Sequence, residues 1–175
     1  MHFSLKLAAT AAILFAATAP AVAEQVCGVE VAAQDATVTA TFDGIAATCA
    51  KDSMCSISLG SADGVRVDME RASVDGSWLV KVSAPSSIDT GAGIDLVFNG
   101  SDETRVAPEF LIASESRDTA RVDDDVSQIV VSTMAESSTM STTAQLVGGR
   151  KVSVETALSG LTKAMDWTDC AQARQ

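Results

Sequence analysis

Between Val26 and Val106, apolar and polar residues alternate in five separate runs, and that period of two commits this part of the chain to β-sheet. Val38, Ala40 and Phe42 alternate with Thr37, Thr39 and Thr41. Cys55, Ile57 and Leu59 alternate with Ser56 and Ser58, and Val65, Val67 and Met69 with Arg66, Asp68 and Glu70. Trp78, Val80 and Val82 alternate with Leu79, Lys81 and Ser83, and Ile94, Leu96 and Phe98 with Asp95 and Val97. Turn dipeptides separate the runs: Asp43-Gly44, Asp63-Gly64, Asp75-Gly76 and Asn99-Gly100. Connections this short join antiparallel neighbours. The expected product is an antiparallel β-sandwich or curled sheet, one face packed and one face wet. Trp78, Val80, Phe98, Ile57 and Val67 belong to its core, and Arg66, Asp68 and Lys81 to its surface.

The period then changes. After Asp123-Asp124-Asp125 come Val126, Ile129, Val130, Thr133 and Met134, the spacing of one helical stripe. The aspartates stand where a helix N-terminus favours caps and negative charge. The Ser/Thr-rich stretch 132–143 reads as partly mobile. Met140–Val147 and Lys151–Glu155 read as two strands around Gly148-Gly149. Ser159 is placed to cap a last helix with Leu161, Ala164, Met165 and Thr168 on one face. Cys170 projects from another side of that helix. Either the helix stops near Trp167, or Cys170 faces a neighbouring strand. The fold class is therefore mainly β with two helices (α+β), the helices in the C-terminal half.

Residues 1–23 have the parts of a cleavable export signal: Lys6, an apolar run from Leu7 to Ala19, and Ala21-Val22-Ala23 as an A-x-A site. The apolar run is short against the roughly 20 residues of a spanning helix. Residues 24–175 are then expected to form a single β-rich domain, periplasmic or secreted, with no integral membrane segment. Cys27, Cys49, Cys55 and Cys170 all follow the cleavage site. An exported chain meets an oxidising compartment, so two disulfides are expected. Of three pairings, the short loop between Cys49 and Cys55 favours joining those two, which leaves Cys27 with Cys170.

The formal net charge is -11, and losing Lys6 makes it more negative. That opposes DNA, RNA and anionic lipid surfaces as partners. The only histidine is His2, inside the signal, and tyrosine is absent. A mature chain without histidine has no Ser-His-Asp or Cys-His machinery and no His-ligated zinc. The cysteine spacing is not C-x-x-C. No Lys completes an S-x-x-K motif, since the residues three before Lys51, Lys81, Lys151 and Lys163 are Thr48, Trp78, Gly148 and Gly160. Asp123-Asp124-Asp125 lacks the ligand spacing of a calcium loop and reads better as a helix cap. No catalytic residue, cofactor or metal site is expected. Trp167 is either a candidate partner surface or a ring packed on its own sheet.

A hydrophobic strand ending in Cys49, a second Cys a few residues on, a run of strands and the Val126–Met134 helix lead to a distinctive tail. That tail, Ala157-Leu158-Ser159-Gly160-Leu161-Thr162-Lys163-Ala164-Met165, is similar to the S-L-x-G-F-T-x-A-L segment of the invasion-associated locus B family of bacterial envelope proteins. The resemblance implies an exported β-rich protein, with some members linked to host-cell entry. It supplies no catalytic residues to carry over. The function expected from these readings is non-catalytic binding of a protein or other envelope component. The alternatives are a carboxylate-dependent hydrolase and an inhibitor of a basic secreted enzyme such as lysozyme.

Overall fold

The computed structural model describes residues 24–34, 36–50, 54–73 and 75–174. The segment read as an export signal, residues 1–23, lies outside them, as do residues 51–53 of the loop between Cys49 and Cys55. Among the described residues the chain forms β1 (Glu24–Val26), β2 (Val29–Gln34), β3 (Thr37–Phe42), β4 (Ile45–Ala50), β5 (Cys55–Ala62), β6 (Val65–Arg71) and β7 (Leu79–Ser83). There follow β8 (Ile94–Phe98), β9 (Asp102–Val106), β10 (Leu111–Ala113), β11 (Thr119–Val122), α1 (Asp124–Ala135), β12 (Thr139–Gln145), β13 (Lys151–Ala157) and α2 (Leu161–Gln172).

The strands build two open antiparallel sheets. The larger has the order β1-β2-β3-β4-β5-β6-β7-β11-β10, and the smaller β13-β12-β8-β9. The first seven strands are a meander, as their short turns require. Cys27-Gly28, Asp43-Gly44, Asp63-Gly64 and Asn99-Gly100 hold positive φ at both positions, the two-residue hairpin geometry that matches strand twist. The chain then leaves for the smaller sheet at β8, returns at β10 and leaves again through α1. β13 packs across β5 and β6, while α2 covers β3, β4 and β5 and α1 lies on β7.

Trp78, Val80, Phe98, Ile57 and Val67 are buried in this core, with Ile45, Ile94, Met134, Met140 and Leu161. The register read from the alternation is therefore the register of the sheet. Asp68 departs from it, being 9% exposed rather than on the surface. It stands opposite Ser58 and Lys81 in the middle of the meander, and Arg66 Nε donates to it at 2.6 Å. Lys81, its neighbour across the sheet, is itself half-buried rather than exposed, with its ammonium bonded to Glu70.

Both helices differ in detail from their sequence reading. Asp123 caps α1, its carboxylate accepting from the Asp125 amide at 3.1 Å. The buried stripe, however, is Ser127, Val130, Val131 and Met134, and Ile129 points to solvent. The helix is rolled by a polar contact the hydrophobic pattern does not contain: the Ser127 hydroxyl donates to the Val122 carbonyl and accepts from the Val80 amide. The stretch 132–143 is ordered as the end of α1 and the start of β12. Asn99 Oδ1 accepts from the Ser138 amide at 2.8 Å between them. Ser159 does not cap α2. Gly160 occupies the N-cap with no side-chain bond. The helix runs on to Gln172, which puts Cys170 inside it, facing the turn between β1 and β2. β1, β2, β9, β10 and β11 fall outside the five alternating runs; β1, β10 and β11 are three or four residues long, too brief to show a period.

Candidate functional site

The four cysteines form two bonds, Cys27–Cys170 with sulfurs 2.02 Å apart and Cys49–Cys55 at 1.97 Å. Cys49 and Cys55 are directly opposed across β4 and β5. Cys27 sits in the β1–β2 turn at φ 55°, so one residue serves both as hairpin turn and as anchor for α2. Trp167 lies nearby and is 3% exposed. Its indole N–H donates to the Val26 carbonyl at 3.0 Å, and its ring is 6.2 Å from that of Phe42. An exposed aromatic partner surface at Trp167 is thus replaced by a ring that packs α2 onto the N-terminal strands.

Arg71 closes this end of the fold. It pairs with Cys55 in the β5–β6 register and shares the inward parity of Val65, Val67 and Met69. Its side chain is 6% exposed, its guanidinium lies 4.5 Å from the centre of the Trp78 ring, and it bonds Asp169 of α2. A guanidinium is the cation best suited to this place, because its plane stacks on an aromatic face while its edge meets a carboxylate. Arg71 Nε is buried without a hydrogen-bond partner. The sequence reading passed over Arg71, although its parity in the β6 alternation already pointed inward.

Beside Arg71 an open cavity of ≈ 260 Å³ lies over the junction of β6, β7 and β11. Arg71, Lys81 and Arg121 line it together with Glu70, Met54 and Leu79. Lys81 stands directly opposite Arg121 and is bonded to Glu70. Each of the three cations already faces a carboxylate: Arg71 meets Asp169 on the inner face of the sheet, Lys81 meets Glu70, and Arg121 meets Asp124 at 3.8 Å. A second concavity of ≈ 360 Å³ separates Trp78 from Gln128, Val131 and Ser132 of α1. A third, ≈ 520 Å³, borders Arg66, Ser83, Asp118 and Thr119. There the Ser116 hydroxyl above all, with those of Thr119 and Ser114, holds the Asp118 carboxyl below its ordinary range against the opposing effect of desolvation. Among the described residues no three His, Cys, Asp or Glu side chains gather to hold a metal ion.

The sequence model of the family described as Invasion associated locus B (IalB) protein matches residues 58–169. The chain belongs to the invasion-associated locus B family. A structural likeness agrees with this: the crystal structure of invasion associated protein B from Bartonella henselae superposes with a TM-score of 0.56 at 13% identity, covering 77% of this chain and 98% of that one. At that identity the likeness concerns the fold. No curated protein matches the sequence. The span that matches the invasion-associated locus B family runs from within β5 to the residue before Cys170. It contains Arg71, Trp78, Lys81, Arg121, Trp167 and Asp169, and it leaves out all four cysteines.

Proposed function

We propose that this chain is exported, that residues 1–23 are removed, and that residues 24–175 act as a single β-rich domain in the periplasm or outside the cell. There it binds a protein or other envelope component without catalysing a reaction, in a role linked to host-cell entry. The observation that carries this reading is the family match over residues 58–169. The two disulfides support it, since such bonds persist in oxidising compartments. The absence of histidine and tyrosine after residue 2 supports a binding role over general acid–base chemistry at neutral pH. Among the described residues no helix is long and apolar enough to cross a membrane.

The test begins with the secreted or periplasmic protein itself, whose N-terminal residue is expected to be Glu24. The purified mature protein is then immobilised against envelope extract separated into protein, polysaccharide and lipid fractions. Saturable retention of one fraction, without turnover of glycoside or peptide substrates, supports the reading. Turnover with an inflection between about pH 6 and 8, abolished by replacing one Asp or Glu, overturns it and installs a hydrolase with a raised carboxylate pKa.

A further inference from the structure

We propose that the free edge of β10 takes an extended, basic segment of a partner protein as a further strand of the larger sheet, with apolar side chains of that segment against Phe110 and Ile112. This rests on the binding reading above and names where a protein partner docks and what chemistry it carries.

The two sheets are open, and their edges are finished differently. β1 lies against α2, whose Trp167 donates to the Val26 carbonyl. β9 exposes Asp102, Glu103, Thr104 and Arg105, and charged side chains of that kind keep an edge from pairing. β13 packs across β5 and β6. β10, by contrast, presents two large apolar side chains, Phe110 at 41% exposure and Ile112 at 45%. Its backbone is only half used. The Phe110 carbonyl accepts from the Asp123 amide, and the Ser114 amide donates to the Thr119 carbonyl. In that ladder Ile112 and Arg121 form a hydrogen-bonded pair, so the N–H and C=O of Ala113 point away from β11. Neither group has a partner among the described residues. An incoming antiparallel strand exchanges both bonds with Ala113 and sets alternate side chains on Ile112.

Charge chooses the occupant. Between residues 109 and 125, six carboxylates, those of Glu109, Glu115, Asp118, Asp123, Asp124 and Asp125, stand against two guanidiniums, those of Arg117 and Arg121. Arg121, opposite Ile112, already faces Asp124 at 3.8 Å. A second copy of this chain joined edge to edge would bring two such sets of carboxylates together, which opposes self-pairing. A segment in which Lys or Arg alternates with apolar residues meets both the carboxylates and the exposed side chains. β10 is three residues long, so the backbone joint is short and the charge and apolar contacts beside it contribute much of the affinity.

The experiment is fluorescence anisotropy of a labelled hexapeptide, a repeated Lys-Val with blocked ends, titrated with the mature protein at neutral pH. Saturable one-to-one binding that weakens with salt is expected. When the valines lie on Ile112, the lysine amides are the ones that meet Ala113. Methylating those nitrogens is therefore expected to weaken binding about tenfold. A Lys-Ser hexapeptide is expected to bind more weakly by a similar factor, and a Glu-Val hexapeptide not to bind. Ala113→Pro removes an N–H that the β10–β11 ladder does not use, at a free edge where proline is tolerated, and is expected to abolish binding in a folded protein. Ile112→Lys, at an exposed position, is expected to abolish it by charge and lost apolar contact. Ile129→Ser, on the solvent side of α1, is expected to leave the affinity unchanged. Unfolding midpoints matching the wild type confirm that the variants fold. Wild-type affinity in folded Ala113→Pro or Ile112→Lys, or equal binding of the methylated or the Glu-Val peptide, overturns the proposal. Dimerisation of the protein alone, abolished by Ala113→Pro, would give the edge to a second copy and overturns it as well. Failure of every peptide to bind ends this docking site but leaves the retention of an envelope fraction intact, whereas turnover in the substrate assay would end the binding reading itself.

Discussion

Arg71 of β6 and Asp169 of α2 are bonded across 98 residues of sequence, and Asp169 immediately precedes the cysteine that ties α2 to the β1–β2 turn. Strand, helix and N-terminal hairpin are thus held at one end of the molecule by an ion pair, a covalent bond and the Trp167 hydrogen bond to Val26. The ion pair is lopsided, a sheltered cation facing an exposed anion. Removing the anion strands a charge, whereas removing the cation leaves a carboxylate that water can solvate.

That asymmetry predicts the order of two variants. Asp169→Ala is expected to destabilise the protein by about 2 kcal/mol, because it takes away the carboxylate that the buried Arg71 guanidinium bonds and leaves, among the described residues, its stacking on Trp78. Adding Arg71→Met to that variant is expected to return part of the loss, since the uncompensated charge goes with it. Urea unfolding of both singles and the double at constant m-value measures the coupling. Strict additivity would show that the pair contributes nothing as a pair.

The two disulfides are expected to differ in weight. Cys27–Cys170 closes a separation of 143 residues and Cys49–Cys55 one of 6. Chain entropy then assigns about 5 kcal/mol to the first and about 2 kcal/mol to the second. Replacing each pair by alanine and comparing unfolding midpoints tests this. Equal losses, or a larger loss at Cys49–Cys55, would mean that packing around the short bond outweighs loop closure.

Much of the sheet was legible because alternation and turn chemistry are local properties. β3, β5, β6, β7 and β8 follow from side-chain parity alone, and the hairpins at Asp43-Gly44, Asp63-Gly64 and Asn99-Gly100 from residues that accept positive φ. What escaped is what depends on neighbours far along the chain. Asp68 is buried in the meander and takes a bond from Arg66, and Ser127 turns α1 toward β7 by bonding Val80 and Val122. Arg71 had the parity of a core residue, yet its charge argued for the surface until Trp78 and Asp169 met it. The cavity residues come from β6, β7, β11 and the approach to β5. No window of sequence brings Arg71, Lys81 and Arg121 together.

Gly160 gives a physical reason for the glycine in the tail segment. A Cβ built there would lie 2.0 Å from the Phe42 carbonyl oxygen and 2.7 Å from its carbon. Both are backbone atoms, so no rotamer change relieves the clash. Gly160→Ala must push α2 away from β3 and is expected to cost about 3 kcal/mol, at the upper end of ordinary overpacking. Thermal unfolding checks it. As a control, Ser159→Ala, at the exposed position that does not cap the helix, is expected to change stability by less than about 0.5 kcal/mol. A larger loss at Ser159 than at Gly160 would show that the helix start is held by the hydroxyl instead.

Asp118 sets a pH dependence whose sign follows from its partners. The hydroxyl of Ser116, then those of Thr119 and Ser114, hydrogen-bond the ionised carboxylate and hold its folded pKa below the ordinary 3.8. Between the lowered folded value and the unfolded one, the unfolded chain binds more protons, so stability rises with pH through that window. The contribution of Asp118 is therefore complete above about pH 5 and is lost as pH falls through its lowered folded value. Asp118→Asn keeps the shape and removes the charge. The stability difference between wild type and variant is expected to be constant near neutrality and to shrink on acidification. Unfolding midpoints of the two proteins, measured in parallel from neutral pH down to about 2.5, test this by difference, which cancels the other carboxylates common to both. A gap that widens as pH falls would mean that the Asp118 carboxylate is held above its ordinary value in the folded protein, with the three hydroxyls favouring its protonated form.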